Sequence, residues 1–237
     1  MNTPRGSTAV MARRVEPPDS LDDFPTQPWA CRALHFYVQA ISGLKVWEPT
    51  CNRGYMARAF EDCGAQVTAS DVFDYGYGEQ FDFLSLGDLK GPPPLVPKPD
   101  VIAFNPPFNR AMEFIQLALL FSSTVAVFAR LQLIEGVDRH ARLWGTDRIG
   151  WSMHPFVERV PLVKGRVDPK ASTATAYAWF RFWREPMEKQ PSLVGCGDVR
   201  LIPPCRKELE RSSDYPEIED ESPPILDWIK QAEAQEK

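Results

Sequence analysis

The chain has 237 residues, 43% of them hydrophobic, a net charge of −5, five cysteines and three histidines. That suffices for the core of one α/β domain, and no apolar stretch reaches the roughly 20 residues that a membrane-spanning helix needs. The N-terminal arginines lack an apolar segment behind them, so no secretory signal is expected. Cys31, Cys51, Cys63, Cys196 and Cys205 form no Cys-x-x-Cys pair, which argues against metal binding and fits a reducing, cytoplasmic setting.

In chain order, residues 1–22 are small, polar and basic and are expected to form a disordered arm. Pro28 in a first turn and Gly43 after an end predict a helix over 29–42. Residues 45–49 predict a strand, and Thr50-Cys51-Asn52-Arg53-Gly54 a loop. A helical pattern then runs from Tyr55 to Cys63 and stops at Gly64, before a strand at 66–71 that closes on Asp71. Strand, glycine-bearing loop, helix, strand and acid is the order of a nucleotide-binding βαβ unit. Glu48 and Asp71 are 23 positions apart, near the ~20 that place an acid on a ribose. The loop has one glycine and no Walker lysine, so a small adenosine-containing ligand suits it better than a pyrophosphate.

Further strands are expected at 81–84, 101–104, 124–131, 157–163 and 174–184, with a helix at 109–121. Residues 23–189 read as the catalytic domain, and 190–237 as a Pro-rich, acidic extension. Its Ile225 to Ala234 stretch reads as a solvated tail, with a short helix as the alternative.

The most informative stretch is Val101-Ile102-Ala103-Phe104 running into Asn105-Pro106-Pro107-Phe108. An apolar strand is stopped by two prolines that cannot donate to a ladder. An amide, a stiff backbone and an aromatic ring then stand at a strand's carboxyl end, where open α/β sheets bind ligands. The chemistry suggested is transfer to a planar amine, whose lone pair is delocalised. Two acceptors aimed at its hydrogens draw the nitrogen toward tetrahedral geometry. The Asn105 carboxamide oxygen is one candidate and the Pro106 carbonyl the other, with Phe108 stacking on the base.

Trp47-Glu48-Pro49-Thr50-Cys51-Asn52-Arg53-Gly54, Ser70-Asp71-Val72, Phe81-Asp82-Phe83 and Asn105-Pro106-Pro107-Phe108 resemble the ordered motifs of S-adenosylmethionine-dependent amino-methyltransferases. The similarity is greatest to small phage-type adenine-N6 DNA methyltransferases. Phe24-Pro25-Thr26-Gln27-Pro28-Trp29 resembles the cofactor motif that precedes the fold, and Ala176-Tyr177-Ala178-Trp179-Phe180 a late strand. The resemblance implies a seven-stranded, Rossmann-like methyltransferase fold, α/β, mainly parallel, with an antiparallel last strand. It implies S-adenosylmethionine as cofactor. Glu48, with Pro49, would lie near its methionine moiety, Cys51 and Gly54 would bring backbone close, and Asp71 would accept both ribose hydroxyls. Val72 would pack on its adenine, Asp82 and Phe83 would meet the adenine amine, and Phe24 and Thr26 would close the methionine end. Arg53 departs from the family's small residues; it either pairs with the methionine carboxylate or points to solvent.

Charge is unevenly spread. Residues 206–237 carry 5 Lys/Arg against 10 Asp/Glu, whereas 109–189 carry 12 against 8. The positive excess follows the Asn-Pro-Pro-Phe motif, where a polyanion would be steered. Between Gln132 and His154, arginines alternate with aromatics, and Arg139, Arg142 and Trp144 are the candidate substrate-binding residues. A helix braced by Glu135 and Arg139 at i,i+4 accounts for part of that pattern with no function. The function implied is methylation of an exocyclic amine, adenine N6 in DNA above others. An RNA base methylase, a protein-glutamine methylase and a silent nucleic-acid-binding relative are the alternatives.

Overall fold

The computed structural model describes residues 23–88, 95, 98–184 and 195–215. The N-terminal arm and the Ile225 to Ala234 stretch lie outside them. Helix α1 (Pro28–Tyr37) precedes strand β1 (Lys45–Glu48), helix α2 (Tyr55–Glu61), strand β2 (Gln66–Asp71) and the two-residue β3 (Glu79–Gln80). Then come β4 (Val101–Phe104), α3 (Ala111–Phe121), β5 (Thr124–Arg130), the single helical turn α4 (Val137–Arg139), β6 (Ile149–Pro155) and β7 (Tyr177–Arg184). The short β8 (Asp198–Val199) and α5 (Arg206–Leu209) follow, and a 3-10 turn at Ser212–Asp214 comes last.

The strands form one sheet in the order β3-β2-β1-β4-β5-β7-β6-β8. From β3 to β5 every pairing is parallel. β7 runs antiparallel to both β5 and β6, and β8 is parallel to β6. The sheet therefore has eight strands rather than seven, with the expected antiparallel strand inserted between β5 and β6. The chain leaves β1 toward β2 and β3, then returns to β4 on the other side. That reversal opens a crevice at the carboxyl ends of β1 and β4.

Both faces are covered. Val46, Val101, Ala103, Ala126, Phe128 and Trp179 pack with α1 and α2 through Trp29, Leu34, Met56 and Phe60. Ile102, Phe104, Val125, Val127, Phe180 and Phe182 face the other way, against Phe114, Ile115 and Leu119 of α3. Alternate residues of one strand thus bury on opposite faces, which is why Val101–Phe104 reads as an unbroken apolar run. Among the described residues no helix is long and apolar enough to cross a membrane.

Two expected strands are elsewhere. Residues 81–84 do not form one; Phe83–Asp88 is a 3-10 helix. Asp82 starts it, because its Oδ1 accepts the Leu84 N–H at 2.9 Å and its carbonyl accepts the Ser85 hydroxyl at 2.6 Å. Such local bonds compete with a ladder. The strand expected at 157–163 is displaced to Ile149–Pro155, and Pro161, which has no N–H, sits in the stretch it leaves behind. In β6, Trp151 and Met153 pack toward the α3 side, while Ser152 and His154 are buried on the other.

The segment 195–215 is woven into the domain. Ile202 and Cys205 join the core beside α1. Arg32 on α1, 3% exposed, pairs with Asp214, 2% exposed, at 2.6 Å. The same guanidinium amino group and Nε donate to Asp62, and the other amino group donates to the Leu209 carbonyl and to Asp214 Oδ2. Removing one partner of a buried pair leaves an uncompensated charge, at about 3–5 kcal/mol. Asp62 remains to hold part of the charge, so Asp214→Ala is expected to lower unfolding stability by about 3 kcal/mol in urea denaturation. A loss below about 1 kcal/mol would show that Asp62 suffices.

Candidate active site

A cavity opens in the crevice between β1 and β4. It is lined by Phe24, Pro25, Thr26, Glu48, Pro49, Thr50, Cys51, Asn52, Asp71, Val72, Asp82, Phe83, Asn105 and Pro107, among others. Each parallel strand delivers its residue at the carboxyl end: Glu48 ends β1, Asp71 ends β2 and Asn105 follows β4.

The loop after β1 is held by its neighbours. Asn52 adopts a left-handed conformation, φ 49°, which asparagine tolerates better than most residues. Its backbone N–H donates to Asp71 Oδ2 at 2.9 Å, while the Phe73 N–H donates to Oδ1 at 3.1 Å. The Val72 amide bonds to the same carboxylate, which keeps acceptor capacity for a further donor. Gly54, at φ 79°, starts α2, and a Cβ there would stand 2.5 Å from the Tyr77 ring. Only glycine combines that backbone with that approach. Cys51 is buried, with Sγ directed at the Tyr77 carbonyl at 3.5 Å.

Asp23 ties the N-terminal strap to this loop. It accepts from Asn52 Nδ2 at 2.6 Å and from Arg53 at 3.0 and 3.1 Å. Arg53 also lies over the Tyr75 ring at 5.2 Å. Its guanidinium is thus engaged by Asp23 and Tyr75, an arrangement that neither of the two expectations for it included.

The strap reaches the Asn-Pro-Pro-Phe motif as well. Asn105 Nδ2 donates to the Phe24 carbonyl and to the Thr26 hydroxyl, both at 3.0 Å. A carbonyl can only accept, so the amide is fixed with its NH2 toward the strap. The carboxamide oxygen is left as an acceptor. The Asn105 carbonyl is anchored in turn by the Thr50 hydroxyl at 3.2 Å. Pro106 is buried, and Pro107 lines the cavity.

Val72, 46% exposed, and Phe73, 47% exposed, offer apolar surface at the cavity. Phe83 contributes mainly to the core: it is 1% exposed and packs on Trp47, Phe104 and Phe114. Phe108 lies against Phe24 at 5.9 Å, and the Arg130 guanidinium sits over its ring, 3.9 Å from the centroid.

The expected substrate-binding residues are not gathered at the cavity. Trp144, 3% exposed, is locked among Trp151, Phe180 and Phe182. Arg139 folds back to donate to the Glu135 and Gln132 carbonyls, so the brace runs to backbone rather than to the Glu135 carboxylate. Arg142 reaches Gln116 at 2.7 Å and Asp138 at 3.5 Å. Sequence reasoning missed Asp23, Phe73, Tyr75 and Arg130. For Arg130 the available signal was a cation closing an apolar strand at the edge where ligands bind.

Electrostatics mark the cavity further. Burial, then the nearby Asp71 charge, pushes the Glu48 carboxyl well above its ordinary 4.5. Glu48 Oε2 is buried with no hydrogen-bond partner. Burial also raises Asp71, against the lowering effect of the backbone amides. Three carboxyls, one of them with an unpartnered oxygen, beside apolar and aromatic surface fit a ligand that carries a cationic centre, hydroxyl groups and a flat ring.

No family model matches the chain, and no curated protein does either. Solved structures do match. One described as a modification subunit of a type I restriction enzyme from Vibrio vulnificus has a TM-score of 0.52 at 14% identity, over 88% of this chain and 53% of that one. The EcoKI M protein of a type I restriction enzyme gives 0.50 at 14% identity, over 78% and 50%. This chain has a methyltransferase fold. The 23S rRNA methyltransferase ErmE gives 0.46 at 16% identity, over 73% and 74%. The chain spans about half the length of the two restriction-modification proteins.

A pH test probes the buried Glu48 carboxyl. The folded chain holds the Glu48 proton to higher pH than the unfolded chain does. Stability therefore falls as pH rises from about 4.5 through the raised value. Glu48→Gln removes that part of the slope. It is expected to match the parent at pH 4 and to exceed it at pH 8 by about 1 kcal/mol, or about 2–4 °C in Tm. Ligand-free protein melted across that range checks this. A variant less stable at pH 8 would mean that ionised Glu48 is satisfied.

Proposed function

We propose that this chain transfers a methyl group from S-adenosylmethionine to the exocyclic amine of a nucleic-acid base, adenine N6 in DNA above others. The observation that carries the reading is the fixed Asn105 amide. Both of its donors are spent on Phe24 and Thr26, and its oxygen is an acceptor beside a carboxyl-lined cavity.

The cavity fits the cofactor by chemistry. Asp71 would turn its remaining acceptor capacity to the ribose hydroxyls. Val72 offers apolar surface for an adenine, and Asp82 lies beside it. Glu48 Oε2 gains a counter-charge from a cationic ligand, which also favours its ionised form. S-adenosylmethionine, when bound, supplies a methyl group on a positively charged sulfur.

The chain's own residues act on the amine. Asn105 Oδ1 and the Pro106 carbonyl accept its two hydrogens and localise the nitrogen lone pair. On transfer the amine nitrogen would take the methyl carbon, the sulfur of the bound cofactor would keep the electron pair of the broken bond, and the surplus proton would pass to solvent. These hydrogen bonds strengthen as the nitrogen becomes tetrahedral, so they favour the transition state over the bound substrate. In a duplex the base must first leave the stack.

The choice of adenine and of DNA rests on the resemblance of the motifs. Incubation with methyl-labelled S-adenosylmethionine and separate pools of DNA, RNA and protein, followed by identification of the modified group, tests it. Label in N6-methyladenine of DNA is expected. Label in an RNA base keeps the mechanism and changes the polymer; label only in protein glutamine overturns the nucleic-acid reading. Asn105→Ala is expected to cut turnover by about 10²–10³ while calorimetry finds cofactor affinity near that of the parent. Turnover within a few-fold of the parent would return Asn-Pro-Pro-Phe to the role of a turn.

A further inference from the structure

The Arg130 guanidinium covers a face of Phe108 at 3.9 Å, the ring assigned to the incoming base. Arg130 ends β5, beside the carboxyl end of β4 that Asn105 follows. A guanidinium is flat and delocalised and stacks on an aromatic ring as a base does. The contact leaves Arg130 Nε buried with no hydrogen-bond partner, and a buried donor without an acceptor is costly. Arg130 is only partly buried as a residue, so its side chain has a route outward.

We infer that Arg130 is a specificity-determining residue: its guanidinium holds the place of the target base on Phe108 and yields that place only to a nucleotide whose phosphate the displaced guanidinium can pair with. This rests on the base-methylation reading and extends it to how the polymer is told from a free nucleoside. A base entering the slot replaces the guanidinium with another flat π-system on the same ring. The outgoing guanidinium exchanges an unsatisfied Nε for charge-assisted bonds to phosphate oxygens. A nucleoside has no phosphate and must displace Arg130 without that return. A polymer supplies one at every position.

Equilibrium binding of two fluorescent probes tests this, each in the presence of S-adenosylhomocysteine and across a salt series. One is a single-stranded oligodeoxynucleotide with 2-aminopurine in place of the target adenine; the other is the free 2-aminopurine deoxynucleoside. Arg130→Ala is expected to weaken the oligonucleotide by about tenfold at 0.1 M salt. It should also flatten the salt dependence by about 0.7 in the log–log slope, the share of one phosphate on a single strand. The same substitution is expected to tighten the nucleoside several-fold, because the slot is already open. Arg130→Lys should restore the salt slope, since the charge remains, and keep the gain for the nucleoside, since the flat stack is lost.

Opposite signs for the two probes are the signature. A merely structural role would weaken both probes, or neither, and either result overturns the proposal. Unchanged binding of S-adenosylhomocysteine shows that the variants fold. Parent protein that binds neither probe brings down the base-methylation reading itself, and this proposal with it. Parent protein that binds both, with variants that move them in the same direction, leaves that reading standing and removes Arg130 from it.

Discussion

The clasp of the Asn105 amide by the Phe24 carbonyl and the Thr26 hydroxyl is the interaction on which the rest of the site depends. It spends the donors of the side chain on the protein and leaves its acceptor for a substrate. It also fixes the strap that precedes α1, which Asp23 ties to the loop after β1 through Asn52 and Arg53. That loop is bonded to Asp71 at the end of β2. One chain of hydrogen bonds thus runs from the candidate methyl acceptor site to the candidate ribose site.

The arrangement has a cost in the ligand-free protein. Glu48 and Asp71 are both buried, and the Asp71 charge adds to burial in raising the proton affinity of Glu48. Glu48 keeps an oxygen without a partner. A site built around buried, like-charged carboxyls destabilises the empty fold and favours a cationic guest, the usual exchange of stability for function. The remainder of the domain offsets this with ordinary packing: two covered sheet faces, and the Arg32–Asp214 pair that fastens residue 214 beneath α1.

Much of this was legible because it is local. The β1-loop-α2-β2 unit follows from an apolar strand, a glycine that must be left-handed at position 54 and an acid at a strand end. The strand before Asn105 was legible for the same reason. The failures are of two kinds. Residues 149–154 fall in the stretch read as arginines alternating with aromatics, but β8 and β7 flank β6, and Trp151, Ser152 and His154 are buried; that burial is decided by residues far away. Trp144 sits among arginines in sequence, yet its ring packs on Phe180 and Phe182, and interleaving cannot tell an inward ring from an outward one. The Arg130–Phe108 and Arg32–Asp214 contacts, the latter 182 positions apart, leave no periodic trace. The eighth strand is two residues long and has no pattern to read.

The central claim is that the clasp aims the Asn105 oxygen. A double-mutant cycle in single-turnover methyl transfer tests it most directly, using Thr26→Val, Asn105→Ala and the pair, with the substrate that the labelled pools identify. If Thr26 acts through Asn105, Thr26→Val alone slows transfer by about tenfold, the worth of one hydrogen bond of about 1.4 kcal/mol, and costs nothing further once Asn105 is gone. Two effects that simply add would contradict the account, because Thr26 would then be acting on something other than the amide.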